Sequence, residues 1–499
     1  MRRASLSLVV GLMVFLVACG STPVTGLSPN DTSASTVSLS ITDQPPNGVT
    51  VLFFQISLTA AYLTPASGSG NVSLLADNTP IEVDVTQLQA ISAFLSTANA
   101  PTGVYNSLTL RFMSAQLVIF NASDASIAST CPLGTVCQLT PQIDDSSSAL
   151  TFSSTPFPVT VSENMPLGFL VDFHLDEVIQ SDLSVNLGIA NGVTITQLPS
   201  TPPSGPPLFG FLSGTVQNVG SNQFMLQTNF GRIFTIDVNN STTYEDFPSS
   251  VCSPVGFACL RSGEVVQVQV ASLQAGGTLL AASISYIQSA TQQLVQGDIV
   301  SLKTAADGNT VVTLLLRWAA DSSTFPAGGI ASVTVPTTAT FSIDSGDFTI
   351  PGGLSFASAS DLLLGQAVQV DVVTGTLSNS NSAGNGLLGF SSSVSFTTDS
   401  VELEPSQITG LITTINSSSF TLTTLPNFFA HWPNSNWAPM QITVQTTSQT
   451  TFQGFSPDNF SGLTTGLASV RGWLFSTPSG ATPSTQVAET VRARANGFF

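Results

Sequence analysis

Gly263-Glu264-Val265-Val266-Gln267-Val268, Gly365-Gln366-Ala367-Val368-Gln369-Val370 and Gly466-Leu467-Ala468-Ser469-Val470-Arg471 read as three versions of one strand. A glycine opens each, and apolar residues then recur at the two-residue period of a strand with one buried face. The same two signals precede each version. An opening strand starts at Ser213-Gly214-Thr215-Val216, Gln296-Gly297-Asp298-Ile299-Val300 and Thr409-Gly410-Leu411-Ile412. These run on to Phe224-Met225-Leu226, Val311-Val312-Thr313-Leu314 and Phe420-Thr421-Leu422. A second alternating strand follows at Phe234-Thr235-Ile236-Asp237-Val238, Ala331-Ser332-Val333-Thr334-Val335 and Gln441-Ile442-Thr443-Val444. The unit is too long for a solenoid rung and suits a small closed barrel. Three barrels are therefore expected, at 208–290, 291–404 and 405–499, the middle one lengthened by a Ser/Asn/Gly-rich insert from Thr374 to Gly389.

The composition agrees with an all-β chain. Of 499 residues, 42% are hydrophobic and only 8% charged, far below the ~25% of an ordinary soluble domain. Ten Lys and Arg face 29 Asp and Glu, for a net charge of -19. Lys303 is the sole lysine. Phosphate contacts need clustered basic residues, so a nucleic-acid partner is not expected. Intrinsic disorder is excluded as well, because dense charge and low hydrophobicity are both missing.

Upstream of the barrels, Pro199, Pro202, Pro203, Pro206 and Pro207 make 198–207 a linker that no helix or strand can cross. Few contacts are expected across it, so the barrels should fold without what precedes them. Between 37 and 197, alternation recurs at Val37-Ser38-Leu39-Ser40-Ile41, Ser107-Leu108-Thr109-Leu110 and Val171-Asp172-Phe173-His174-Leu175. Val85, Leu88, Ile91, Leu95 and Ala98 keep a three-to-four spacing, which predicts one helix capped by Asp84 and ended by Pro101 and Gly103. A β-sandwich-like domain with one helix follows.

Ser40-Ile41-Thr42-Asp43-Gln44-Pro45, Val83-Asp84-Val85, Pro101-Thr102-Gly103-Val104-Tyr105 and Leu170-Val171-Asp172-Phe173-His174-Leu175 resemble a bacterial lipoprotein family, the domain of unknown function 4382. The three repeats resemble the small domain of unknown function 5666, which implies OB-like barrels. The third repeat departs from that pattern at Ala468 and by an aromatic insertion. Neither resemblance brings an established activity.

The N-terminus reads as an address. Met1-Arg2-Arg3 precedes an apolar run from Leu6 to Ala18, too short to span a bilayer but suited to a secretory signal. Leu16-Val17-Ala18-Cys19-Gly20 resembles the lipobox of bacterial lipoproteins, in which the cysteine is lipidated. The expectation is a signal peptide at 1–18, a lipid-anchored stalk at 19–36 and membrane attachment through acyl chains on Cys19. Gly20, standing where an Asp would signal inner-membrane retention in that family, favours the outer membrane. The other cysteines form close pairs, Cys131/Cys137 and Cys252/Cys259, around Pro and Gly. Their spacing is not that of a zinc knuckle, and they are expected as disulfides.

The chemical inventory is thin. His174 and His431 are the two histidines, far apart in the chain, and no nucleophile elbow or zinc-protease motif is present. Gly384-Asn385-Gly386-Leu387-Leu388-Gly389 spells a dinucleotide fingerprint without the strand and helix that such a motif needs. No cofactor and no enzymatic activity are expected. Two candidate sites remain. Asp172, His174 and Asp176, at strand spacing, would share one face and could hold a metal; a solvated sheet face is the alternative. Phe428, Phe429, His431, Trp432 and Trp437 gather in a Pro/Asn loop. They fit either a platform for a glycan or protein partner or a plug over their own barrel. The sequence thus reads as a non-enzymatic binding or structural module of the envelope, with a carbohydrate-binding accessory lipoprotein as the alternative.

Overall fold

The computed structural model describes residues 34–494 apart from short interruptions, the longest being 45–49, 122–130, 199–210, 381–392, 431–440 and 477–483. The chain is nearly all-β. The first domain is a sandwich. One sheet orders its strands 193–198, 167–174, 34–44 and 93–101, with 34–44 and 167–174 parallel from Val37↔Leu167 to Gln44↔His174. The other is built on the long antiparallel pair 50–65 and 103–120, flanked by 72–73, 81–84, 136–139, 149–152 and 159–161. Alternate residues Phe54, Ile56 and Leu58, with Leu108, Leu110 and Phe112, meet Phe169, Val171 and Phe173 of the first sheet in one core. Phe112 and Phe173 lie edge to face at 5.9 Å.

The helix expected from Val85 to Ala98 does not form. Val85–Leu88 make one 3₁₀ turn, and 93–101 is a strand antiparallel to 34–44. Two short pieces of opposite type share the apparent helical spacing, and sheet pairing overrides it. Asp84 still caps: its Oδ1 accepts from the Thr86 N–H at 3.1 Å and from the Thr86 hydroxyl at 2.5 Å. The first domain's α-helix among the described residues is instead the single turn Leu175–Val178. The first strand begins at Ala34, inside the stretch read as stalk.

The three repeats are barrels of one topology. In the first, 211–219 pairs 223–228, which pairs 233–237; that strand runs parallel to 279–288, which returns through 265–273 to 211–219. The third closes the same ring through 406–415, 419–423, 442–445, 484–493 and 466–475. In the middle barrel the fifth strand is broken in two. Residues 393–397 lie parallel to 330–335, and 400–404 lie antiparallel to 367–371. Asp371 Oδ1 holds the break, accepting from the Thr398 hydroxyl and from the N–H groups of Asp399 and Ser400. This order, first-second-third-fifth-fourth-first, is the OB-like barrel expected. Gly214, Gly297 and Gly410 occupy the same place in each opening strand. A Cβ there would lie 2.4, 2.6 and 2.9 Å from the carbonyl oxygens of Gln227, Leu315 and Thr423, so the tight strand crossing requires glycine.

The expected independence of the barrels is not what the structure has. Alternation on the long sandwich strands sends Phe54, Leu117 and Ile119 into the sandwich core, but Phe53, Val118 and Phe120 out of the opposite face. That face is covered by barrels two and three in a single continuous core with Leu315, Phe325, Phe428 and Phe429. Barrels two and three are joined without a spacer, 400–404 leading through Pro405 into 406–415. Barrel one, next to the sandwich in sequence, has its own core around Phe224, Ile236 and Val268. Among the described residues, its strands meet the sandwich at one register pair, Phe211 with Ala93.

Candidate functional site

A dense polar cluster lies on the seam between sandwich and barrel two. Arg317 ends the run Leu314-Leu315-Leu316-Arg317 on strand 310–319 and turns its guanidinium into the seam. Nη1 donates to Asp84 Oδ2 at 2.7 Å and to the Thr86 hydroxyl at 3.1 Å. Nε and Nη2 donate to Asp298 Oδ2 at 2.9 and 2.5 Å, and Nη2 also donates to the Leu52 carbonyl at 2.6 Å. The guanidinium stands 5.5 Å above the Phe53 ring. Burial pushes the Asp84 carboxyl up, with Arg317 opposing it. Burial pulls the other way on Arg317, but Asp298 and Asp84 together hold its pKa above the ordinary value. Gln407 of barrel three joins the seam, donating to the Thr86 carbonyl at 2.8 Å. One cation thus ties two carboxylates from different domains, a planar fork used as a joint.

The aromatic loop divides. Phe428 and Phe429 are buried, at 3% and 6% exposed, so neither is a stacking platform. Phe428 lies edge to face with Phe120 of the sandwich at 5.6 Å, and its N–H donates to the Thr50 hydroxyl at 3.1 Å. The Phe429 ring fills the space beside Gly365 of barrel two, where a Cβ would come within 2.7 Å of it. The pair is a plug, but a plug between domains rather than over its own barrel. His431, Trp432 and Trp437 lie outside the described residues.

The acidic strand face is also rearranged. Asp172 and His174 end strand 167–174, but the chain then turns helical at Leu175, so Asp176 leaves the strand register. His174 Nε2 stands 4.0 Å from Asp172 Oδ2. Burial raises the Asp176 pKa, with His174 opposing. Among the described residues no group of three His, Cys, Asp or Glu side chains is assembled to hold a metal. Both cysteine pairs are bonded: Cys131–Cys137 inside the sandwich and Cys252–Cys259 in barrel one. Cys19 lies outside the described residues.

Residues 34–188 match the domain of unknown function DUF4382. A second domain of unknown function, DUF5666, matches 213–285 and 409–468, which are barrels one and three. The middle barrel lies outside the matched segments, although its strand order is the same. The hydroxyls of Thr242 and Thr450 donate to the carbonyls of Ala281 and Ala488 in the DUF5666 barrels, whereas the corresponding position of the middle barrel is Ala339. Its fifth strand is also preceded by the insert. No curated protein matches the sequence. Among solved structures, a deletion mutant of the single-stranded DNA binding protein from Thermus aquaticus is similar at 13% identity, over 42% of this chain and 95% of that one. Its TM-score of 0.15 is too low to bear on function.

A second polar seam joins the middle barrel to the last DUF5666 barrel. Arg471 pairs with Glu489, and burial brings its pKa down to about 10, with Glu404 and Asp344 opposing. The Trp473 indole donates to the Asp344 carbonyl at 2.6 Å and packs 4.9 Å from Phe348. Glu402 accepts from Ser342 at 3.1 Å and from Gln369 at 3.2 Å. Burial, and then Asp344, raise its pKa. A carboxyl with a raised folded-state pKa binds its proton more tightly in the native than in the unfolded chain. Its contribution is therefore fullest below the ordinary glutamate range and is lost as pH rises through the raised value. Glu402→Gln should flatten that decline and raise the neutral-pH melting temperature, as read by thermal unfolding at a series of pH values. An unchanged pH profile would mean that Glu402 does not set it.

Both seams escaped the sequence reading. Asp84 was legible as a cap but not as an ion-pair partner. The available signal was the pair of unbroken apolar runs, Leu52-Phe53-Phe54 and Leu117-Val118-Ile119-Phe120. A strand without alternation is buried on both faces.

Proposed function

We propose that the chain is a non-enzymatic binding or structural module of the bacterial cell envelope, tethered to the membrane through a lipidated Cys19. What supports the reading is where two buried arginines stand. Arg317 and Arg471, each surrounded by carboxylates, lie at joints between domains, where they hold the sandwich and barrels two and three in one assembly. Such a chain is built to keep a shape at the end of a tether. The tether itself rests on Leu16-Val17-Ala18-Cys19 and the basic, apolar order before it. Cys19→Ser should move the protein from the membrane fraction to a soluble or unprocessed form. Unchanged attachment would remove the anchor from this reading.

A further inference from the structure

The two disulfides sit in different surroundings. Cys131 and Cys137 are 1% and 2% exposed and belong to the sandwich core. Asn121 donates to the Cys131 carbonyl at 2.7 Å, and Cys137 lies in strand 136–139. Cys252, by contrast, is partly exposed. Its partner Cys259 is buried at the end of the 3₁₀ turn Phe257–Cys259, which packs on the core of barrel one.

The other barrels carry the same turn without cysteine, at Ala359–Asp361 and Phe460–Gly462. In barrel two a neighbour secures it. Gln366 Nε2 donates to the Asp361 carbonyl at 3.1 Å and to the Leu474 carbonyl of barrel three at 2.8 Å. The Ser476 hydroxyl donates to Asp361 Oδ1 at 3.4 Å. In barrel three the turn is capped by Asn459, and Phe460 packs on Phe452. Barrel one has a core of its own and, among the described residues, joins the sandwich at one register pair. There Glu264 accepts from the Arg261 N–H at 2.7 Å, and the covalent bridge ties the turn back to the preceding loop. The bridge does for barrel one what barrel three does for barrel two.

We infer that Cys252–Cys259 is a reduction-sensitive latch, and that opening it loosens barrel one while the sandwich and barrels two and three keep their fold. The reductant is a dithiol. Its thiolate attacks the accessible Cys252 Sγ, the S–S bond breaks, and Cys259 leaves as a thiolate and takes up a proton. The second sulfur of the dithiol then attacks the first, closing a cyclic disulfide and releasing Cys252 as a thiolate that is protonated in turn. Two electrons pass from the dithiol to the protein. The Cys131–Cys137 bridge has no exposed sulfur to attack.

The test uses the full-length oxidised protein in native buffer with dithiothreitol, trapping thiols with iodoacetamide over time and mapping them by mass. Cys252 and Cys259 should be labelled at least about tenfold faster than Cys131 and Cys137. Calorimetry should show the barrel-one transition falling by about 10 °C or more, the scale for a short closed loop in a domain of this size. Amide exchange should rise within 211–288 and hold elsewhere. A Cys252→Ser/Cys259→Ser double variant should reproduce the shift without reductant. Equal labelling of both pairs would overturn the inference. So would exchange that rises across the sandwich and the other barrels, or a barrel-one transition that does not move once the bridge is open.

Discussion

Arg317→Leu should cost about 3–5 kcal/mol of unfolding free energy, the scale for breaking a buried ion pair by removing one partner. The loss comes less from the missing attraction than from what stays behind. Asp84 and Asp298 would face each other across the seam with no cation between them, and the Leu52 carbonyl would lose its donor. Urea unfolding of the full chain measures this directly. Adding Asp84→Asn and Asp298→Asn to Arg317→Leu should recover part of the loss, because the stranded carboxylates are then gone. If the single variant loses under about 1 kcal/mol, the range of a surface pair, Arg317 is not the joint described here.

Phe428→Ala should cost a similar amount, about 3–5 kcal/mol, as a large-to-small change in a closed core. Phe428 belongs to barrel three by sequence, yet its ring rests on Phe120 of the sandwich and on Phe429, which in turn presses on Gly365 of barrel two. Gly365 has φ +79°, a conformation that favours glycine, and the Phe429 ring already fills the space where its Cβ would be. The cavity would open where three units meet, and chemical denaturation should show the unit formed by sandwich and barrels two and three destabilised as a whole. Barrel one, with its own core, should unfold as before. A loss confined to barrel three would contradict the shared core.

The barrels were legible because each repeats the same glycine-led strand, and because strand alternation survives in a one-sided sheet. Val266, Val368 and Val470 each proved to be buried, as that pattern requires. The predicted helix was not legible as two elements. Val85 and Leu88 do bury one face of a single turn, while Ala98 and Ala100 pack on the sandwich core as strand residues two apart. Spacing alone cannot see that 34–44 will pair with them. The aromatic loop was legible as unusual, but its direction was not. Phe428 and Phe429 look like exposed stacking groups until a second domain returns to cover them. The linker misled for the same reason. Its prolines break the local chain, but say nothing about whether distant segments come back across the break.

The sandwich face that carries Phe53, Val118 and Phe120 bears on how the chain is made. Synthesis delivers that face early and completes its cover last, since Phe428 and Phe429 lie in the final barrel. In between, the chain completes barrel one, which needs no partner for its core. The nascent protein therefore waits with an apolar patch uncovered on an otherwise finished domain, the kind of surface on which half-made chains stick to one another. Premature stops or slow passage through the middle barrel should then yield aggregates, not shorter soluble proteins. Quality control for this protein would turn on the arrival of its final barrel.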